Sequence, residues 1–131
     1  MTTRHAACAC GQLRVTCEGE PVRISMCHCL DCQRRTGSIF AVQARWPAER
    51  VAIAGDSSQF LRTGDSGGVG TLRFCPRCGS TVYWTLDSQP ELVAVAVGAF
   101  ADPSFPSPKF SVYEARRHPW ASTPDDIEHW D

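Results

Sequence analysis

Apolar and polar residues alternate along most of the readable segments of the chain. Leu13, Val15 and Cys17 fall on one side of an extended segment with Gln12, Arg14 and Thr16 on the other, and Val22, Ile24 and Met26 repeat the two-residue period. Further β-rich runs cover Ile39 to Arg45, Gln59 to Arg62, Thr71 to Phe74, Thr81 to Leu86, Leu92 to Val97 and Phe110 to Tyr113. Only Leu30 to Arg35 has a helical character. Gly64-Asp65-Ser66-Gly67-Gly68-Val69-Gly70 reads as a mobile hairpin loop, and the proline-rich stretch from Asp102 to Pro108 as a connection that cannot join a central strand. The pattern predicts a mainly β fold: a single small domain over residues 1–131, made of short antiparallel strands. The acidic tail from about Pro124 is expected to dock loosely.

A chain of 131 residues supports one core, with roughly two-thirds of its unfolded surface buried on folding. Thirteen Lys and Arg against fourteen Asp and Glu give a formal net charge of -1. That balance argues against a nucleic-acid partner, which calls for excess positive charge to displace counterions from phosphates. The longest nearly apolar run, Leu92 to Ala101, is too short to span a bilayer and holds a glycine. No apolar signal region follows Met1, so the expected location is the cytoplasm. In a reducing compartment, clustered thiols are more often metal ligands than disulfides.

Seven of the eight cysteines form three groups: Cys8-x-Cys10-Gly11, Cys27-His28-Cys29-x-x-Cys32, and Cys75-Pro76-Arg77-Cys78-Gly79. A short Cys pair closed by glycine lets two thiolates reach one ion. The first and third groups together therefore make a closed tetrahedral site from Cys8, Cys10, Cys75 and Cys78. Cys27, Cys29 and Cys32 remain as a three-thiolate site, and three protein ligands on zinc leave a fourth position for water or substrate. Two other readings of the middle group stay open. It could be a second closed site completed by Cys17, His28 or another histidine, or a redox pair at Cys29 and Cys32. Cys17 shares its strand face with Leu13 and Val15 and reads as a core thiol. The four tryptophans, Trp46, Trp84, Trp120 and Trp130, read as core or edge packing.

These spacings, with Cys32-Gln33-Arg34-Arg35-Thr36-Gly37 and the segment from Pro108 to Trp120, resemble the GFA family of glutathione-dependent formaldehyde-activating enzymes, which includes centromere protein V. The resemblance covers nearly the whole chain. It implies a zinc-bearing β fold with two zinc ions, a structural one at Cys8, Cys10, Cys75 and Cys78 and a catalytic one at Cys27, Cys29 and Cys32. It implies a carbon-sulfur lyase that forms or cleaves the adduct of glutathione and formaldehyde, S-hydroxymethylglutathione. One triplet departs: where the family often has His-Ile/Val-aromatic, this chain has Ser111-Val112-Tyr113.

Three thiolates on a divalent zinc leave one net negative charge, so cations beside them would favour an incoming glutathione thiolate. Arg34 and Arg35 are the candidate glutathione contacts, able to pair with a carboxylate through two hydrogen bonds. Arg116, Arg117 and His118 form another basic patch, and His28 or water is a candidate proton source for the developing alkoxide. The expected partners are a small-molecule thiol and an aldehyde, with no nucleic acid and no membrane. The alternative is a non-catalytic zinc-binding interaction module on the same scaffold.

Overall fold

The computed structural model describes residues 1–64 and 67–131. In chain order its strands are β1 (Thr3–Ala7), β2 (Arg14–Glu18), β3 (Arg23–Cys27), β4 (Ala41–Pro47), β5 (Val51–Ala54), β6 (Ser58–Thr63), β7 (Val69–Phe74), β8 (Thr81–Leu86), β9 (Gln89–Ala96), β10 (Phe110–Val112) and β11 (Glu128–His129). One short helix, α1 (Leu30–Thr36), follows β3. Its N-cap is Cys29, whose sulfur accepts from Cys32 N–H, and it stops at Gly37, whose φ of 73° is the left-handed conformation that ends helices. No helix among the described residues is long and apolar enough to cross a membrane.

The strands make two sheets. One runs β1-β2-β5, and the other runs β11-β10-β3-β4-β9-β8-β7-β6. Within the large sheet β10 lies parallel to both β3 and β11, which corrects the all-antiparallel expectation. Its other pairings are antiparallel.

Alternation assigns the two faces of the large sheet to different tasks. Ile24, Ala44, Trp46, Val93 and Val95 point to one face and pack with Ala6, Val15 and Cys17 of the small sheet into the main core. Trp46 is fully buried there, and its indole N–H donates to the Gly19 carbonyl at 2.9 Å. The opposite face carries Arg23, Ser25 and Cys27 of β3 and Gln43 and Arg45 of β4, and these line a cavity. Both faces of β3 are thus covered, and Ser25 is as buried as Met26.

Several expectations change. Val22 precedes β3 and is exposed, so the inward set there is Ile24 and Met26. β1, β5 and β11 carry too little alternation to be read; three of the four residues of β5 are exposed on its edge. The tail is held more closely than its charge suggests: Ile127 is buried and Glu128–His129 add to β10. Trp46 and Trp84 are buried, whereas Trp120 and Trp130 are largely exposed. Of the expected glycine loop between β6 and β7, Asp65 and Ser66 lie outside the described residues.

Candidate metal centres

The first cysteine group turns immediately after β1, and the third closes the connection between β7 and β8. In each, backbone hydrogen bonds shape a tight turn around sulfur. Gly11 N–H donates to Cys8 O, Gly79 N–H to Cys75 O, Leu13 N–H to Cys8 Sγ at 3.3 Å, and Arg77 N–H to Cys75 Sγ at 3.4 Å. Ala9 N–H donates to Ser80 Oγ and clips the two turns together. The four sulfurs of Cys8, Cys10, Cys75 and Cys78 lie within 4.8 Å of one another. Cys10 Sγ is 3.6 Å from both Cys8 Sγ and Cys75 Sγ. The edge of a tetrahedron of Zn–S bonds is roughly 3.8 Å, so this set fits a metal without rearrangement.

Gln12 supports that cluster from below. Its amide N–H donates to Cys75 Sγ at 3.0 Å, while its carbonyl accepts from Asp56 N–H at 2.8 Å. Gly55 makes this contact possible. Its φ is 98°, and a Cβ there would lie 2.0 Å from the main-chain carbonyl oxygen of Gln12.

Cys27 ends β3, Cys29 caps α1 and Cys32 sits in the first helical turn, where its N–H donates to Cys29 Sγ at 3.2 Å. Their three sulfurs also lie within 4.8 Å of one another, and all three residues are buried. Hydrogen bonds from Cys27 and Cys29, aided by the Arg35 and Arg62 guanidiniums, push the Cys32 thiol down to about 3. Sharing its proton with Cys29 and Cys32 pushes Cys27 up. Three thiols holding one negative charge between them are a suitable donor set for a divalent soft ion.

Neither Cys17 nor His28 joins this set. Cys17 lies fully buried in the main core, where burial pushes its thiol up to about 12. His28 follows the strand alternation to the face away from Cys27. It is fully buried, with Nε2 2.9 Å from Ser111 Oγ, and burial holds its imidazole below its ordinary value. Ser111 in turn donates to Glu114, which also lies 2.9 Å from His129 Nδ1. His28 is therefore a joint between α1's entry and β10, and it does not line the cavity beside the three thiols.

That cavity, of about 260 Å³, is walled by Cys27, Cys29 and Cys32 and by four arginines, Arg23, Arg35, Arg45 and Arg62. Buried guanidinium nitrogens on all four, namely Arg23 Nε, Arg35 Nε and Nη2, Arg45 Nε and Arg62 Nη1, lack a hydrogen-bond partner, as does Gln43 Oε1. Aromatic faces hold two of them in place: Arg35 lies 4.4 Å over the Trp84 ring and Arg23 4.0 Å over Phe110. Tyr113 packs on the three cysteines with φ at 55°, an unusual backbone for a bulky residue. Gly64, Gly68 and Gly70 of the glycine loop region also reach the wall.

Of the two expected arginine contacts, Arg35 is on this wall. Arg34 is exposed and faces a neighbouring groove with Phe60 and Phe74. Arg116, Arg117 and His118 stand outside the cavity as well; Arg117 donates to the Ala121 carbonyl and His118 meets Gln33. The sequence reading missed Arg23, Arg45 and Arg62. Their signal was partly available, since Arg23 and Cys27 share a strand face.

A family model described as glutathione-dependent formaldehyde-activating enzyme matches residues 3–116, a span holding both cysteine clusters and all four cavity arginines. The chain belongs to that family. Among solved structures, one similar in fold is a crystal structure of a Rhodobacter sphaeroides protein, a structural-genomics target. It is 21% identical, with a TM-score of 0.54, and the match covers 72% of this chain and 85% of that one. No curated protein matches this chain in sequence. The departure from the family triplet at Ser111 takes a new meaning from the fold. Ser111 points away from the cavity to His28, while Val112 and Tyr113 line it.

Proposed function

We propose that this protein is a zinc-dependent carbon-sulfur lyase, on one domain over residues 1–131, that joins glutathione to formaldehyde and gives S-hydroxymethylglutathione. Cys27, Cys29 and Cys32 would hold the catalytic zinc, and Cys8, Cys10, Cys75 and Cys78 a second zinc that fixes the fold. The observation that carries this reading is the shared cavity. Three clustered sulfurs and four arginines line the same cavity, and each of those arginines has a buried guanidinium nitrogen without a partner. Such donors cost stability unless an anion meets them, so they point to a charged ligand next to the thiols.

Zinc at the three cysteines supplies a site that lowers the pKa of a thiol and keeps its sulfur as thiolate. The residues do the rest. Arg35 and Arg62, beside Cys32, and Arg23 and Arg45, along the strands from Cys27, hold the carboxylates of the peptide thiol and offset the negative charge of the thiolates. Trp84, Val112 and Leu86 narrow the walls against water. As the sulfur adds to the aldehyde carbon, an S–C bond replaces the C–O π bond, whose pair becomes an alkoxide and takes up from water one proton, the equivalent of the one the thiol released on becoming thiolate. The hydroxyls of Tyr113, Ser25 and Ser88 are on the wall and able to hydrogen-bond that oxygen. His28, turned toward Ser111, has no part in this transfer. The free thiols the reaction requires suit the cytoplasm.

The test is two-dimensional exchange NMR of glutathione and formaldehyde with the zinc-loaded protein, against a Cys29→Ser control. The expected result is faster adduct exchange with the unmodified protein alone. Equal exchange in both, with zinc shown at both sites of the unmodified protein, would remove the glutathione–formaldehyde reaction.

A further inference from the structure

The large sheet ends on β6, and among the described residues no strand pairs with its outer side. The sheet's other end is β11, two residues long. The small sheet ends on the four-residue β5 and on β1, along which Val97–Phe100 packs. β6 runs for six residues, Ser58-Gln59-Phe60-Leu61-Arg62-Thr63. Natural sheets blunt so long an edge with proline, a bulge or an outward charge. β6 has none of these: it holds no proline, its register with β7 is unbroken, and its one charge, Arg62, lines the cavity. It presents instead two large apolar side chains, Phe60 at 58% exposure and Leu61 at 59%.

Two hydrogen bonds fix which main-chain groups of β6 face outward. Gly64 N–H donates to Gly68 O, one step beyond the Thr63–Val69 pair, so the bonded pairs of this ladder are Arg62 with Gly70, Phe60 with Leu72 and Ser58 with Phe74. On the far side of β7, Asp87 N–H donates to Val69 O, one step beyond the Gly70–Leu86 pair. That assigns Val69, Thr71 and Arg73 to β8 and leaves Gly70, Leu72 and Phe74 for β6, the same parity. The N–H and C=O groups of Gln59, Leu61 and Thr63 therefore point away from the sheet.

We infer that β6 pairs antiparallel with β6 of a second copy of this chain, about a two-fold axis at Leu61, and continues the large sheet across the dimer. The register follows from the parity. Centred on Leu61, the two strands bond Leu61 to the partner's Leu61 and each Gln59 to the opposite Thr63, and every outward group is used. Centring on Phe60 or on Arg62 leaves Thr63 or Gln59 without a partner inside the strand, and the latter sets like charges against each other. In the Leu61 register Phe60 opposes the partner's Arg62 in a non-bonded pair, where side chains approach most closely and a ring meets a guanidinium. Opposed residues share a face, so the partner's Phe60 arrives over the groove of about 480 Å³ lined by Phe60, Leu72, Phe74 and Arg34. The exposed residues of one copy thus cover those of the other. A formal net charge of -1 adds little repulsion between copies. A contact one strand wide is smaller than the roughly 800 Å² per partner of a standard interface, so the dimer is of micromolar strength or weaker.

Sedimentation velocity on the zinc-loaded protein, over roughly 1 to 300 µM, tests the pairing. The unmodified protein should shift from monomer to dimer as concentration rises. Leu61→Pro removes an outward N–H and no bond to β7, so it should abolish the shift while the circular dichroism spectrum and zinc content are retained. Leu61→Glu and Leu61→Lys act through an exposed side chain and keep the test decisive if the proline variant misfolds. Each sets like charges opposite each other at the axis and should be monomeric, whereas their equimolar mixture should recover dimer. A protein that stays monomeric at the highest concentration would overturn the inference. A dimer that survives both charged variants would place the interface elsewhere and overturn it as well. Loss of the dimer in each variant with no recovery in the mixture would overturn the two-fold at Leu61.

Discussion

Replacing Arg45 by methionine should make the ligand-free protein more stable while weakening its hold on an anionic thiol. Arg45 and Arg23 are opposite each other across β3 and β4, and like charges so placed cost roughly 0.2–1 kcal/mol. Arg45 Nε is buried without a partner, a further cost of about 1–3 kcal/mol. Methionine keeps much of the apolar stem and removes both penalties. Attraction to Cys27 opposes the gain. Burial and Arg23 nonetheless outweigh it, since together they hold the Arg45 guanidinium below its ordinary pKa. A base whose folded pKa is lowered is one whose charged form disfavours the fold, so removing the charge stabilises at every pH where arginine is protonated. A net gain of about 1–2 kcal/mol corresponds to a rise in Tm of roughly 4–8 °C in a domain of this size. Thermal melts followed by circular dichroism, with zinc content verified before each run, measure it. Sodium chloride should narrow the gap by screening the Arg23–Arg45 repulsion. A lower Tm for Arg45→Met at unchanged zinc content would refute the reasoning.

The remaining predictions concern the same cavity and the two cysteine clusters. Glutathione at about a hundred times its dissociation constant should stabilise the unmodified protein by about 2.7 kcal/mol, and at that same concentration should stabilise Arg45→Met less, as read by the shift in Tm. Cys29→Ser should lower bound zinc from two ions to one with the far-ultraviolet spectrum retained, whereas Cys78→Ser should lose cooperative unfolding, both followed by metal analysis and circular dichroism. Gly55→Ala should destabilise by more than about 1 kcal/mol, since it forces alanine into positive φ against the Gln12 carbonyl. Because Gln12 also bonds Cys75 Sγ, chelator-driven zinc release from the four-cysteine site should be faster in that variant; unchanged release would separate Gln12 from the metal site.

The cysteine clusters were legible because their chemistry is local. A Cys-x-x-Cys turn with glycine fixes its own geometry, and the sulfurs of Cys75 and Cys78 converge with those of Cys8 and Cys10 as the spacing predicts. The strands of the large sheet were legible by period, β4, β7, β8 and β9 most clearly. The cavity was not. Period two states that Arg23 and Ser25 lie opposite Ile24, but not which strand ends cover that second face. Arg62 reaches the site from a strand thirty residues beyond Cys32, through a sheet order that no local pattern encodes. Arg34 illustrates the reverse error: adjacency to Cys32 along the chain does not aim a helical side chain, and one residue later Arg35 faces the thiols instead. His28 was misplaced for a similar reason, since a residue between two ligands at the end of a strand alternates to the far side.

The two faces of the large sheet carry opposing energetic loads, and this explains why a small domain tolerates such a cavity. Trp46, Val82, Val93 and Val95 bury fully or nearly so against β1 and β2, and that core, with the four-cysteine cluster at its margin, is where folding gains its stability. The other face gathers four arginines and three sulfurs around a cavity and leaves guanidinium nitrogens buried without a partner, an arrangement that costs stability in the ligand-free protein. Such a conflict between local stability and arrangement is characteristic of functional sites. The joint of His28, Ser111 and Glu114 lies between these regions, tying the entry to α1 onto β10. In the family triplet that position is often histidine; here a serine hydroxyl, paired to a buried imidazole, fills it. Because the pair faces away from the thiols, its loss should loosen Cys27 and Cys29 together through their shared backbone. Ser111→Ala should therefore weaken zinc at the three-cysteine site and leave the four-cysteine site unchanged, whereas a direct role of Ser111 in the reaction would lower turnover with both zinc affinities intact.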